Sequence, residues 1–255
     1  METPFGVGGF PPPTSSALEV TDRERNRIFE EKWQEGGTIS FLYSFTDLLT
    51  NAKANYYASE FVRNKIRNKV NDKSTAELLC PNTHPIGTKR LVADNGYYEI
   101  FNQDNVKLID ISSRPIEKIT KTGLRTKEKD FDVDIIIFAL GFDAMTGAIN
   151  SINIRNKNGD LLANKWKSGP RTYLGLMTAD FPNLFLITGP QSPGVKSQMI
   201  LSIEQHVDWI SRCIDDMQCQ GYDYICPSAS AEEYWVNHNT EVASKTLYPL
   251  GGSWY

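Results

Sequence analysis

Val133-Asp134-Ile135-Ile136-Ile137-Phe138-Ala139-Leu140, followed at once by Gly141, decides the fold class of this 255-residue chain. The run is apolar at almost every position, not at alternate ones. A strand that alternates has one wet face. A strand apolar on both faces is buried on both, as in the centre of a parallel sheet. Leu184-Phe185-Leu186-Ile187, ending at Thr188-Gly189-Pro190, reads the same way. Between them, Asn158-Gly159 separates Ile152-Asn153-Ile154 from Leu161-Leu162 and predicts a hairpin. Beyond them, Ile200, Ile203, Val207, Ile210, Ile214 and Met217 recur in steps of three and four, which predicts a helix. A further helix is predicted over 230–245. The class is α/β.

Working back toward the N-terminus, residues 80–127 change character. Pro81, Pro85 and Gly87 break helices, while Val106–Ile111 and Ile116–Thr120 read as strands and Gly123 turns the chain into Leu124-Arg125-Thr126. Residues 20–75 read as helical. Thr21 and Glu24 form a capping box, and Ile28, Phe29 and Trp33 share a face that Gly36-Gly37 ends. Phe41, Phe45, Leu48 and Leu49 make a second apolar stripe; Tyr57, Phe61, Val62, Ile66 and Val70 make a third. Arg63, Lys65, Arg67 and Lys69 interrupt that third stripe and read as a solvated face. Residues 1–19, with Pro11-Pro12-Pro13, read as an irregular lead-in. The organisation expected is therefore 1–19 lead-in, 20–79 helical segment, and two α/β parts over 80–130 and 131–255.

Composition narrows the function classes. Lys and Arg number 27 against 31 Asp and Glu, a formal net charge of −4. Such a chain carries no global basic field for nucleic acid. Cys80, Cys213, Cys219 and Cys226 lack C-x-x-C spacing, and His84, His206 and His238 fit no metal pattern. We expect no metal, reduced structural thiols and structural or surface histidines. The opening METPFGVGGFPPPTSS has neither a basic nor an apolar signal region. No window approaches a membrane span. The expectation is a soluble cytoplasmic protein that binds no membrane.

Two features carry chemistry. The first is the pair of strands ending in glycine, since open α/β sheets bind ligands outside the carboxyl ends of their strands. A glycine there either admits a cofactor to the backbone or merely makes a turn. The second is Pro85-Ile86-Gly87-Thr88-Lys89-Arg90, two adjacent cations after a turn. They form either an anion site or an ordinary exposed surface. Gly6-Val7-Gly8-Gly9 is not a dinucleotide fingerprint, because it follows no strand and opens no helix.

The segment Gly87-Thr88-Lys89-Arg90-Leu91-Val92-Ala93-Asp94-Asn95-Gly96-Tyr97-Tyr98-Glu99-Ile100-Phe101-Asn102 resembles the class B flavoprotein monooxygenases, specifically the Baeyer–Villiger monooxygenases of the phenylacetone and cyclohexanone type. Further blocks follow in the family's order. They are Ala139-Leu140-Gly141-Phe142-Asp143-Ala144 with Thr146-Gly147, Gly169-Pro170-Arg171-Thr172-Tyr173-Leu174-Gly175, Phe181-Pro182-Asn183-Leu184-Phe185, Gly189-Pro190-Gln191-Ser192-Pro193, and Ser202-Ile203-Glu204-Gln205-His206-Val207-Asp208-Trp209-Ile210.

The resemblance implies an incomplete two-dinucleotide-binding-domain flavoprotein fold. Residues 80–130 would be the remainder of the NADP-binding domain, and 131–255 the C-terminal part of the FAD-binding domain and tail. It implies FAD and NADP(H) as cofactors, and a small-molecule ketone and O2 as substrates. In that family, reduced FAD captures O2 as a flavin peroxide that inserts oxygen beside a ketone carbonyl, giving an ester or lactone. Arg90 matches the family's essential arginine, and Lys89 the lysine that meets the phosphate-bearing portion of NADP. Gly141, Phe142 and Asp143 would line the flavin side of the strand end. Met199 matches a methionine whose backbone meets the flavin, and Trp254 a tryptophan that packs against NADP.

The family's early G-x-G-x-x-G, its F-x-G-x-x-x-H fingerprint and its second glycine motif are missing, and Leu140 replaces a threonine. The resemblance thus implies a chain lacking the family's first part, inactive alone or completed by a separate chain that supplies the FAD-binding half. The setting implied is specialised metabolism. A non-catalytic accessory protein, or an N- or S-oxygenating or hydroxylating flavoprotein, are the alternatives.

Overall fold

The computed structural model describes residues 12–192 and 198–252. The predicted glycine decoy at 6–9 and the tryptophan at 254 lie outside the described residues. The helical segment forms as read: α1 (Asp22–Glu35), α2 (Thr38–Leu42), α3 (Ala52–Lys69) and α4 (Lys73–Leu79). Thr21 caps α1 by accepting from the Glu24 N–H, at 3.3 Å. The reciprocal half of the box is replaced, because the Glu24 carboxylate pairs with Arg27 instead. Asn51 and Asp72 cap α3 and α4 in the same way as Thr21.

Phe29 is the hub of this segment. Its ring lies 5.3–5.4 Å from those of Phe41, Phe45 and Phe61, a packing geometry favoured by aromatic quadrupoles. Arg25 is buried against the cluster's rim. Its guanidinium donates to the Ala17 and Val20 carbonyls, pairs with Asp22 and sits 3.9 Å over the Tyr57 ring. These bonds fasten the incoming chain at residues 16–20 to the helices.

The second feature that organises the fold is Asn55 on α3, only 2% exposed. Its side-chain NH2 donates to the carbonyls of Leu48 and Ile86, both at 2.8 Å, and its Oδ1 accepts from the Ile86 N–H at 3.0 Å. One amide therefore satisfies both backbone groups of Ile86, as a neighbouring strand would. Gly87 follows with φ +85°, and a Cβ there would lie 2.7 Å from Leu49 and 2.9 Å from Leu42. The loop reaches this depth because residue 87 has no side chain.

The sheet is small and antiparallel, in the order β1 (Ile116–Ile119), β2 (Gly123–Thr126), β3 (Asp130–Asp132). The strand predicted over Ile116–Thr120 forms as β1, ending at Ile119, and Gly123, read as a turn, is the first residue of β2. Val106–Ile111 is not a strand: it runs as irregular chain, with Ile109 and Ile111 exposed. Residues 133–140 and 184–187 are also not ladder strands. A strand exists only with a partner, and no described residue offers 134–140 a backbone hydrogen bond. The one such bond in 184–187 that crosses to the facing loop runs from Leu186 N–H to the Leu176 carbonyl, at 2.7 Å.

The rest follows the sequence pattern. Asn158-Gly159 turns a short hairpin through the Arg155–Leu161 bridge. Short helices α5 (Gly147–Asn150) and α6 (Leu162–Lys165) flank it, and Leu162, Trp166, Phe181 and Leu186 form a second core. The long helices α7 (Met199–Gln220) and α8 (Ala229–Ser244) fall where predicted. Glu232 of α8 is buried and accepts from Thr178 Oγ1 and the Ala179 N–H, both at 2.8 Å, while Lys165 pairs with its other oxygen. On α7, the Nδ1 of His206 accepts from the Thr188 N–H at 2.9 Å. The tail returns to the first core through Leu247 N–H, which donates to the Leu49 carbonyl.

Two stability predictions follow from these bonds. Replacing Asn55 with Ala strands the Ile86 N–H and two carbonyls in a buried site, and is expected to lower unfolding free energy by about 2–4 kcal/mol; urea titration measures it. Burial holds the pKa of His206 below the ordinary histidine range, and burial followed by Lys89 and Arg63 does the same to His84. Both must stay neutral in the fold. Their contribution is complete above the unfolded value of about 6.5 and lost as pH falls below it. The melting temperature is expected to drop between pH 8 and 5.5, and to drop less in the double variant His84→Gln, His206→Gln.

Candidate functional site

The loop that Asn55 anchors forms one wall of a cavity of about 470 Å³. Lys89 and Arg90 lie on that wall, just past Ile86, Gly87 and the fully buried Thr88. Thr88 is fixed twice. Its hydroxyl donates to the Pro85 carbonyl at 2.7 Å, and the C-terminal turn Tyr248–Gly251 packs so tightly on it that a Cβ on Gly251 would sit 2.8 Å from its side chain. The two cations therefore project from a backbone held on both sides.

The opposite wall comes from α3, which contributes Arg63, Lys65 and Lys69 to the lining. Sequence reading assigned these to a solvated face. The structure places them at the cavity instead, and each is neutralised. Arg63 pairs with Glu60 at 2.5 Å, Lys65 with Glu30 at 2.6 Å, and Lys69 with Asp94 and Glu99. The carboxylates of Asp94 and Glu60 are held below their usual range by these partners, so the pairs persist at neutral pH. Lys89 and Arg90 differ: neither makes an ion pair or hydrogen bond among the described residues. They are the lining cations with charge to spare. Trp33 and Tyr98 add aromatic surface, and His84, kept neutral, contributes a polar edge. The signal for the α3 cations lay in their position: Arg63 and Lys65 flank the inward residues Val62 and Ile66.

The other predicted residues are not gathered here. Gly141 has φ +77° and open space where a Cβ would stand, and Phe142 is 98% exposed. Asp143 packs over Gly147, where a Cβ would lie 2.5 Å from its carboxyl carbon. Met199 opens α7 and is exposed. None of these lines the cavity of Arg90.

The residues present thus fit the anionic end of a nucleotide, through two unneutralised cations over an aromatic-lined cavity. They do not by themselves enclose a flavin: among the described residues, none apart from its chain neighbours lies within 4 Å of where a Gly141 Cβ would stand, and Phe142 is exposed. Among the described residues, no group of three His, Cys, Asp or Glu could hold a metal ion, and no helix is long and apolar enough to cross a membrane. The described cysteines are free thiols, and burial pushes the Cys80 thiol up, so it stays protonated near neutrality.

No protein-family model matches the chain. Individual proteins do. It is 38% identical to the 2-oxo-Δ3-4,5,5-trimethylcyclopentenylacetyl-CoA monooxygenase of Pseudomonas putida, over 93% of this chain and 44% of that protein. It is 39% identical to the cyclopentanone 1,2-monooxygenase of Comamonas, over 94% and 44%. It is 37% identical to the phenazine N-monooxygenase of Lysobacter antibioticus, over 96% and 45%. Among solved structures, an oxidised steroid monooxygenase bound to NADP superposes with a TM-score of 0.86 at 43% identity, over 96% of this chain and 47% of that one. The chain therefore spans somewhat under half the length of the relatives it matches. Over almost all of its own length it is a partial Baeyer–Villiger monooxygenase-like chain with the corresponding flavoprotein fold.

Proposed function

We propose that this chain provides the Arg90-bearing part of an NADPH- and FAD-dependent monooxygenase of Baeyer–Villiger type. The activity is insertion of one oxygen atom of O2 beside a ketone carbonyl, giving an ester or lactone. The observation that carries the reading is the pair of unneutralised cations, Lys89 and Arg90, fixed on the wall of an aromatic-lined cavity. When bound, NADPH and FAD supply the reducing equivalents and the oxygen-activating chemistry.

The chain's own residues have separable tasks. Lys89 binds the phosphate-bearing portion of NADP(H) as a point charge. Arg90 holds a permanent positive charge beside the oxygen on which negative charge develops, and its planar fork fixes the direction of that field. The role suits arginine because its guanidinium does not lose its proton when water is excluded. Asn55 and Gly87 act through Arg90, by holding its loop. Gly141, Phe142, Asp143 and Met199 would meet FAD along the exposed end of 133–143 and the start of α7, and Trp254 would pack against NADP(H). Because these groups face outward, a separate chain supplying the FAD-binding half is part of the proposal. The setting we propose is cytoplasmic specialised metabolism.

A second reading, nitrogen oxygenation, draws on the likeness to the Lysobacter phenazine N-monooxygenase. It keeps Lys89 in the same role but inverts the polarity of the reaction: a ketone carbonyl is attacked by a nucleophilic oxygen, whereas a nitrogen lone pair would attack an electrophilic one, so the demand on the Arg90 charge differs. Incubation with a ketone and with an aromatic amine, followed by mass spectrometry, separates the two.

Two measurements test the proposal. The purified chain is expected to bind NADP+ saturably, and Lys89→Ala to weaken it by roughly tenfold without lowering the urea midpoint. Absence of saturable binding removes this reading of the cavity. In an assembled enzyme that oxygenates cyclopentanone, Arg90→Ala is expected to lower kcat by roughly 100- to 1,000-fold while flavin stays bound. Oxygenation unchanged by Arg90→Ala removes Arg90 from the chemistry.

A further inference from the structure

From Lys89 to Tyr97 the chain makes no backbone-to-backbone hydrogen bond among the described residues. It leaves the fixed Thr88 and runs along the cavity as a strap that carries Arg90 and ends its stay there at Asp94. The strap's outer side is in water, with Val92 and Ala93 exposed. Two contacts hold it beyond Thr88. Leu91 packs against the first core. Farther on, one Asp94 oxygen pairs with Lys69 near the end of α3, and the other accepts the Tyr97 N–H at 2.8 Å. The same Lys69 ammonium pairs with Glu99 at 2.9 Å, so one cation gathers two carboxylates of one segment. Asn102 closes the arrangement, donating to the Lys69 carbonyl at 2.7 Å and accepting from the Asn71 N–H at 2.8 Å.

We propose, resting on the function above, that Lys69 is a positioning residue: with Asp94 and Glu99 it latches the strap and so controls how Lys89 and Arg90 are presented to an anionic nucleotide. Asn55 and Thr88 fix the strap at one end only. With the Lys69 tie released, no backbone bond sets where Arg90 points. Exposed ion pairs usually add little to stability. Here the Asp94 side chain is only 17% exposed, and no backbone hydrogen bond shares the load. Asp94 first, and Glu99 after it, hold the Lys69 pKa above the ordinary lysine range, so the ammonium stays charged. The modest strength of such a tie suits a latch, which opens locally while the helices stay folded.

Were Lys69 only one more positive charge at the cavity, its partner would behave differently. Removing the Asp94 carboxylate raises the positive potential there, so simple electrostatics predicts tighter binding of NADP+ to Asp94→Asn. Release of the latch predicts weaker binding, because the strap must first be ordered again. Trypsin reads the strap itself, since it cuts after Arg90 when the local chain is loose.

The full chain and its variants are exposed briefly to trypsin, and cleavage between Arg90 and Leu91 is quantified by mass spectrometry, beside NADP+ titration and urea unfolding. Asp94→Asn and Lys69→Ala are each expected to speed this cleavage by roughly three- to tenfold and to weaken NADP+ by a similar factor. Lys69→Arg is expected to keep both near the original values. In the double variant Lys69→Ala, Asp94→Asn, cleavage is expected to match that of Lys69→Ala alone, because both changes release one tie.

Tighter NADP+ binding by Asp94→Asn overturns the inference, as does cleavage that Lys69→Ala leaves unchanged. Acceleration that merely follows a lower urea midpoint also overturns it, because the residues then act through global stability. If the unaltered chain binds no NADP+, the functional reading falls, and the cleavage rates alone decide the latch.

Discussion

A single buried carboxamide sets the geometry on which the site depends. Asn55 donates to the carbonyls of Leu48 and Ile86 and accepts from the Ile86 N–H, so Ile86 is held as though by an adjacent strand. Burying an amide is unfavourable unless its hydrogen bonds are satisfied. Here the side-chain oxygen also receives the Ser59 hydroxyl, at 3.2 Å, so the amide is fully used. The consequence runs along the chain. Ile86 is fixed in the aromatic core, Gly87 passes where no side chain would fit, Thr88 is locked under the C-terminal turn, and Lys89 and Arg90 emerge at the cavity. Two flexible side chains are thereby mounted on a backbone with little freedom, which is what a preorganised electrostatic site requires.

The charge pattern around them has a second logic. Five cations line one cavity, and five unneutralised charges would repel one another and the fold. Arg63, Lys65 and Lys69 are each matched to carboxylates, and among the described residues Lys89 and Arg90 are the lining cations left without one. The paired residues then serve packing, covering the cavity's apolar floor with their stems. Burial, followed by Lys89 and Arg63, holds the His84 pKa below the ordinary histidine range.

How much of this the sequence revealed depends on whether a feature is local. The helices were legible because apolar stripes and the Thr21 cap are local: Thr21 starts α1, and Phe29 sits where the stripe puts it; the Asn51 and Asp72 caps emerge only in the structure. Asn158-Gly159 made its turn for the same reason. Lys89 and Arg90 were legible as an adjacent pair; both are exposed, and the cavity they border is what sets them apart from other surface cations. Asn55 was not legible, since an asparagine inside a helical stretch has no pattern that marks it as buried. Lys65 and Lys69 were misread because their partners Glu30, Asp94 and Glu99 are distant in sequence, whereas the partner of Arg63, Glu60, is local. Residues 133–140 expose the sharpest limit. Their composition reads as a central strand, yet a strand's existence depends on neighbours, and the described residues contain none. Val106–Ile111 fails in the same way.

The account stands or falls on the rigidity of the Arg90 loop, and the Asn55 amide reports it directly. Hydrogen exchange of its side-chain NH2 can be followed by nitrogen-edited NMR and compared with that of the exposed Asn158. If Asn55 clamps the loop, both protons exchange only when the helical segment opens globally, and their rates track the stability of that segment in urea. Exchange at the rate of an exposed side chain, in a protein whose α1–α4 core stays folded, would contradict the clamp and with it the fixed placement of Lys89 and Arg90.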